Sequence, residues 1–111
     1  MPGSEGHVFN GGARAVARER LRPAEIESRL GSLPAWRLAG DAIRRECVLP
    51  DFRAAIDFVG RVADLAEAAD HHPDIDVRYD RVTLTLSTHS SGGLTALDFD
   101  LATRIDGVLR P

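Results

Sequence analysis

The chain has 111 residues, enough for one domain with a buried core and too few for two. Its formal net charge of -3 disfavours a general nucleic-acid binder, because contacts to phosphates need clustered positive charge. No apolar run approaches the ~20 residues of a membrane span, and the first residues lack the apolar core of a signal peptide, so we expect a cytoplasmic protein without membrane attachment.

The N-terminal part of the chain is rich in glycine, and we predict that residues 1–20 form a flexible extension outside the fold. Residues 21–111 are predicted to form a single domain. The one cysteine, Cys47, has no partner for an internal disulfide and lies in an alternating segment, so it is expected to be a small buried residue.

Signals for a short helix and a strand pair follow the extension. Pro23 suits the first position of a helix and Gly31 suits its end, which predicts a helix over 23–30. Two strands are predicted over 35–39 and 42–49, joined by a tight turn at the Gly-Asp dipeptide between them.

A long helix is predicted from Phe52 to Ala69. Asp51 suits its N-cap, and apolar residues recur at helical spacing along a predicted core-facing stripe: Phe52, Ile56, Val59, Ala63, Ala66 and Ala69. The helix must end before Pro73, because the residue that precedes a proline is pushed out of the helical region. The two histidines before that proline therefore lie at a junction of helix and strand, where functional side chains are often placed.

An antiparallel hairpin is predicted after this junction. Apolar and polar residues alternate over 75–79 and again over 82–86, with a turn expected at Asp80-Arg81. The alternation puts Tyr79 on the apolar face, so we expect it in the core rather than against a ligand. His89 follows the end of the second strand.

A final helix is predicted to run to about Leu109. Thr95 followed by Asp98 resembles a capping box, and an apolar stripe continues along the segment. The complete order, α-β-β-α-β-β-α, predicts an α+β fold: a four-stranded antiparallel sheet with three helices packed on one face.

The histidines flank the predicted hairpin. Because antiparallel strands enter and leave at the same end, His89 is expected to lie near His71 and His72. A metal site is disfavoured, since adjacent histidines seldom face one ion and no His-x-x-x-His spacing occurs on a helix. An imidazole titrates near pH ~6.5, so such a cluster can hold one protonated donor and one neutral acceptor, as an elimination of water requires.

The segment from Glu67 to Asp98, which contains these histidines, resembles the pterin-4a-carbinolamine dehydratase family. That family's pattern is an acidic or polar residue, His-His-Pro, an aromatic residue, a histidine and an acidic residue at characteristic separations. The matching positions here are Glu67, His71-His72-Pro73, Tyr79, His89 and Asp98, and the resemblance covers about residues 21–108.

The resemblance implies dehydration of 4a-hydroxytetrahydropterin to quinonoid dihydropterin, the step that recycles the pterin used by an aromatic amino acid hydroxylase. It implies that His71 and His89 are the catalytic acid–base pair and that Asp98 orients an imidazole. His72 and Glu67 would bind the substrate. No metal or redox cofactor is implied, and a homodimer or homotetramer is expected.

Alternatives stay open at several of these positions. Asp98 is also explained as a helix-capping carboxylate, and Glu67 as a solvated residue of the last helical turn. A catalytically idle, oligomeric pterin- or protein-binding member of the same fold is the alternative function. The intact histidine set favours the enzyme, because a purely binding role does not require three imidazoles at one end of a hairpin.

Overall fold

A computed structural model describes residues 17–110 of the chain. Helix α1 spans Pro23–Leu30, α2 spans Phe52–Ala69 and α3 spans Ala96–Leu109. The strands are β1 (Arg37–Ala39), β2 (Ala42–Val48), β3 (Asp74–Arg78) and β4 (Arg81–Leu86), and a single 3-10 turn covers His89–Ser91. The predicted α+β class and the order α-β-β-α-β-β-α are confirmed.

The two longer helices begin at side-chain caps that the sequence predicts. The Asp51 carboxylate accepts a hydrogen bond from the backbone N–H of Ala54 at 2.8 Å, which satisfies an otherwise unpaired group in the first turn of α2. Helix α2 ends at Asp70, whose left-handed backbone (φ 49°) turns the chain away from the helix axis. The chain then enters β3 through Pro73.

All four strands pair antiparallel, in the order β1-β2-β4-β3. The alternation of the two central strands turns one set of apolar side chains towards the helices: Ile43, Cys47, Val82, Leu84 and Leu86, all buried. Helices α2 and α3 contribute Phe58, Val62, Phe99, Leu101 and Ile105 to the same core. The helices therefore cover one face of the sheet, as predicted.

The one cysteine is buried, and burial changes the pKa of its thiol. Cys47 lies within this core with 3% of its surface exposed. Burial raises the pKa of its thiol, and the neighbouring Arg45 guanidinium offsets this only in part. The prediction of a small buried residue is confirmed.

The prediction that Tyr79 is a core residue is wrong. The β3–β4 turn lies at Tyr79-Asp80, one residue earlier than predicted, and Tyr79 has a left-handed backbone (φ 54°) with 70% of its surface exposed. Because side chains alternate along a strand, the residue that enters the turn loses the orientation that the alternation predicted.

The predicted apolar stripe of α2 is also largely wrong, although the bounds of the helix are as predicted. The buried side chains of α2 are Ala55, Phe58, Val62 and Ala66, so only Ala66 belongs to the predicted stripe. Phe52 and Ile56 are 51% and 43% exposed. Helix α2 carries two adjacent apolar stripes, and the sheet takes the one that includes Phe58.

The predicted N-terminal extension lies mostly outside the described residues. Within the described part, the Arg18 carbonyl accepts a hydrogen bond from the Ser91 hydroxyl, and the Leu21 N–H donates to the Leu94 carbonyl at 2.9 Å. These bonds join the start of the described chain to the loop that follows β4. Across residues 17–110, no helix has both the length and the apolar character needed to cross a membrane.

Candidate functional site

The site is built around His71, which follows the C-terminus of α2. The left-handed Asp70 and the restriction imposed by Pro73 hold this residue in a fixed bend, and its N–H donates to the Ala66 carbonyl at 3.1 Å. The His71 side chain is buried. Its ring is therefore held from the backbone side before any side-chain partner is considered.

Asp98, in the first turn of α3, is the side-chain partner of His71. Its Oδ1 lies 2.6 Å from His71 Nε2, and the residue has no exposed surface. Its Oδ2 accepts hydrogen bonds from the Thr88 hydroxyl and from the Thr95 N–H, each at 2.9 Å. Two donors therefore converge on Oδ2 while Oδ1 faces the His71 ring, an arrangement that suits an ionised carboxylate.

The hydrogen-bond network determines which nitrogen of His71 carries the proton. An ionised carboxylate only accepts, so the ring must donate to Asp98 through Nε2–H. In the neutral ring Nδ1 then presents a lone pair, and among the described residues it has no hydrogen-bond partner. His71 is thus arranged as a proton acceptor whose charged form would face a buried anion.

Thr88 and Thr95 support the same carboxylate. The Thr88 hydroxyl has one hydrogen and gives it to Asp98, so in the 2.8 Å contact between the two threonine hydroxyls Thr95 is the donor. The Thr95 oxygen in turn accepts from the Leu97 N–H at the start of α3. Asp98 is therefore both the capping-box residue of α3 and the hydrogen-bond partner of His71.

His72 and Glu67 form a second pair on the exterior of the molecule. His72 Nε2 lies 2.5 Å from Glu67 Oε2, and both side chains are exposed. Glu67 lies in the last turn of α2, where its side chain is solvated, and it also contacts the His72 imidazole. This pair has an edge open to solvent, as a binding position for a polar molecule needs.

His89 opens the 3-10 turn after β4 and is exposed. Its carbonyl accepts from the Gly92 N–H at 3.0 Å, which closes the turn, and no described residue forms a hydrogen bond with its ring. Its chain neighbour, Thr88, bonds Asp98 directly. The structure thus joins His71 to Asp98 and His72 to Glu67, and it positions His89 one residue from that network.

The contact between Thr88 and Asp98 was not predicted from the sequence. The only available signal is the place of Thr88 next to a histidine and at the end of an alternating strand, because its contact with Asp98 depends on how α3 packs against β4. Thr95 was recognised as a cap, but its link to Thr88 was not predicted for the same reason.

Two other features of the described residues bear on where chemistry occurs. No three His, Cys, Asp or Glu side chains within residues 17–110 are grouped so that they could hold a metal ion. An apolar depression of about 430 Å³ lies beside α1, lined in part by Leu21, Ile26 and Leu38, but no histidine borders it. The histidine–aspartate network is the better candidate for acid–base chemistry.

Comparison with known proteins decides the family. The family described as pterin 4 alpha carbinolamine dehydratase matches residues 19–108. The chain belongs to this family. The resemblance inferred from the histidine pattern is thereby confirmed.

The chain aligns with relatives in this family over nearly the full length of those relatives. A protein of Roseiflexus sp. (strain RS-1) is 59% identical over 90 residues, which span 81% of this chain and 97% of the relative. A protein of Acidobacterium capsulatum is 56% identical over 90 residues, covering 81% of this chain and 98% of the relative. Both carry the name pterin-4-alpha-carbinolamine dehydratase as a provisional assignment.

Solved structures of similar proteins agree with the family assignment. The transcriptional coactivator/pterin dehydratase of Brucella melitensis has a TM-score of 0.78 and 36% identity, covering 81% of this chain and 98% of its own. A pterin dehydratase-like protein identified as a RuBisCO assembly factor in the alpha-carboxysome has a TM-score of 0.58 and 22% identity, covering 67% of this chain and 88% of its own. The second likeness shows the fold alone.

Proposed function

We propose that this chain dehydrates 4a-hydroxytetrahydropterin to quinonoid dihydropterin and water, without a metal or redox cofactor. The observation that carries the proposal is the bond between buried Asp98 and His71 in a member of the pterin-4-alpha-carbinolamine dehydratase family. The reaction would serve tetrahydropterin recycling in the cytoplasm after an aromatic amino acid hydroxylase has used its pterin.

The chemistry requires one base and one acid. The N5–H bond of the pterin breaks, its electron pair forms the C4a=N5 double bond, and the C4a–O bond breaks as the hydroxyl leaves with an added proton as water. His71 is the proposed base, because no residue of the described range 17–110 forms a hydrogen bond with its Nδ1 and the imidazolium it forms would be stabilised by the Asp98 carboxylate.

His89 is the proposed acid that protonates the departing hydroxyl. It lies on the exposed turn next to Thr88, and its ring is not engaged by another described side chain, so it can exchange protons with solvent between turnovers. His72 and Glu67 are proposed to bind the pterin through their exposed polar atoms. Together with Asp98, these roles use every histidine and every carboxylate among the matching positions of the family pattern.

The test of this function is the rate of quinonoid dihydropterin formation from freshly generated 4a-hydroxytetrahydropterin. The purified wild type is expected to accelerate the step over buffer, while a His71→Asn/His89→Asn double variant, purified identically, controls for contaminating activity. If folded wild-type protein gives the buffer rate, the dehydratase proposal fails. The alternative, a catalytically idle oligomeric pterin- or protein-binding member of the fold, would then take its place.

Self-association is proposed to use the exposed stripe of α2. Phe52 and Ile56 lie one helical turn apart and are about half exposed, and the exposed Ala63 continues the same row. Val59, between them, is partly buried against the core. Large exposed apolar side chains on adjacent turns of one helix are typical of an interface. The predicted homodimer or homotetramer would bury this row against a second copy.

Ile56→Asp is expected to shift the protein to a monomer, because a charge in a buried apolar interface loses its solvation. Molar mass from light scattering during size-exclusion chromatography checks this. Ala68→Asp, which adds the same charge on the opposite, exposed side of α2, should leave the assembly intact. Equal masses for Ile56→Asp and the wild type would exclude this interface.

A further inference from the structure

The sheet face turned away from the helices, called here the open face, is densely charged. Alternation along the strands directs to it a single set of charged side chains: Arg37, Arg44, Arg78, Arg81, Asp74, Asp76 and Glu46. No aromatic side chain of the paired strand residues lies among them. The His71–Asp98 network is on the other side of the sheet, with the helices.

Two pairs of arginines lie directly opposite one another on neighbouring strands. Arg37 is opposite Arg44, and Arg78 is opposite Arg81. Like charges at directly opposed positions destabilise a sheet. Such an arrangement needs an anion to offset the repulsion, or it remains an unrelieved cost to folding.

Among the described residues, the second pair has carboxylate partners and the first pair has none. Arg78 Nε lies 3.4 Å from Asp76 Oδ2. Arg81 Nη1 lies 3.3 Å from Glu46 Oε1. Among residues 17–110, neither arginine of the first pair has a carboxylate within ion-pair distance, and Arg44 Nε only donates to the Thr85 hydroxyl at 3.4 Å.

Arg37 and Arg44 border concave surface that could hold a ligand. Both line a depression of about 390 Å³ and a second one of about 240 Å³ beside Ala35. The larger depression is also bordered by two threonines, the second arginine pair and two carboxylates: Thr83, Thr85, Arg78, Arg81, Glu46 and Asp76. Guanidinium groups and a hydroxyl are donors that match the oxygens of a phosphate group. The lack of aromatic side chains disfavours stacked nucleobases as the occupant.

We propose that Arg37 and Arg44 form a binding site for the phosphate group of a small phosphorylated molecule. The two guanidiniums would share the dianion, with Thr85 beside them, and Glu46 would limit the affinity by its own negative charge. The site is separate from the proposed dehydratase site and does not depend on it. An edge strand is also protected from aggregation by charged side chains, so Arg37 on its own has a simpler explanation.

The test is a titration of the full-length protein with inorganic phosphate and with glycerol 3-phosphate, followed by amide chemical shifts at constant ionic strength. Shifts should concentrate at residues 35–46 and 83–85, with an apparent Kd at least about tenfold weaker in Arg37→Gln/Arg44→Gln. Arg61→Gln/Arg104→Gln removes the same charge from exposed helical positions and should bind as the wild type does. Tighter binding of the ester than of free phosphate would identify a phosphorylated metabolite as the ligand.

Thermal unfolding provides a second readout that a merely structural role would not reproduce. Without phosphate, Arg37→Gln should raise Tm by roughly 1–4 °C, because one repulsive pair is relieved. Saturating phosphate should raise the Tm of the wild type above that of the variant. The proposal is overturned if Arg37→Gln lowers Tm without phosphate, if acetate binds as well as phosphate, or if phosphate affects both double variants equally.

Discussion

His71→Ala is expected to lower kcat for the dehydration by about 10²–10⁴-fold, the range associated with loss of a positioned general base. Removing the ring removes the proposed base, Nδ1. No other described side chain bonds Asp98 Oδ1 in place of the ring. The measurement is the initial rate of quinonoid dihydropterin formation at saturating substrate. Circular dichroism and Tm of the variant establish that the loss of rate is not a loss of folding.

His72→Ala is the matched control for this variant. It removes the neighbouring imidazole, whose only described partner is the exposed Glu67, so its main effect should be a higher KM with a smaller change in kcat. Equal losses of kcat in both variants would contradict the division of roles between the two adjacent histidines.

The pH profile separates His71 from His89. A base must be deprotonated to act, so a variant that lacks the base should lose the fall of kcat at low pH, and this is expected of His71→Ala. An acid must be protonated, so His89→Ala should lose the fall at high pH and about 10²-fold or more in rate. If each variant lost the opposite limb, the two roles would have to be exchanged.

The fold was predictable where a boundary depends on local chemistry. Helix α2 begins after the Asp51 cap and ends before Pro73, and both signals act within a few residues, so its bounds match the prediction. Its buried face was not predictable in the same way. Two apolar stripes compete on this helix, and only the packing of the sheet selects the one that contains Phe58 and Val62.

The hairpin shows how a small local error changes a side-chain assignment. Alternation predicted β3 and β4, but the turn begins at Tyr79 rather than at Asp80, and the aromatic ring is therefore exposed. The residues before and after the turn keep the predicted alternation, because Val77 and Val82 are opposite each other and pack towards the core.

The candidate site was predictable in its residue types and only partly in its contacts. The spacing indicated His71 and Asp98, but their contact spans 27 positions and exists because α3 starts beside the end of α2. Thr88 belongs to the same network through tertiary packing alone. The sequence pattern alone does not indicate that the Thr88 hydroxyl bonds Asp98, because this contact depends on how α3 packs beside the end of β4.

Asp98→Asn should separate the two explanations of this residue. An amide presents one acceptor and one NH₂ donor where the carboxylate presents two acceptors, so it cannot accept from both His71 and the pair formed by Thr88 and Thr95. If the amide NH₂ faces His71, the ring must accept at Nε2 and carry its proton on Nδ1. That tautomer has no lone pair where the substrate proton is to be taken, and kcat should fall by about 10²–10⁴-fold.

Stability should also fall, by about 1–3 kcal/mol for asparagine and about 3–5 kcal/mol for alanine, since buried donors lose their acceptor. Thr95→Ala is the control for the cap, because it removes the Oγ1 that accepts from Leu97 and should cost about 1 kcal/mol with little change in kcat. Both quantities are obtained from urea unfolding and from initial rates on the same preparations. If the carboxylate only capped α3, the loss of rate should follow the loss of stability in all three variants. If the carboxylate orients His71, the asparagine variant should be far slower than its loss of stability explains.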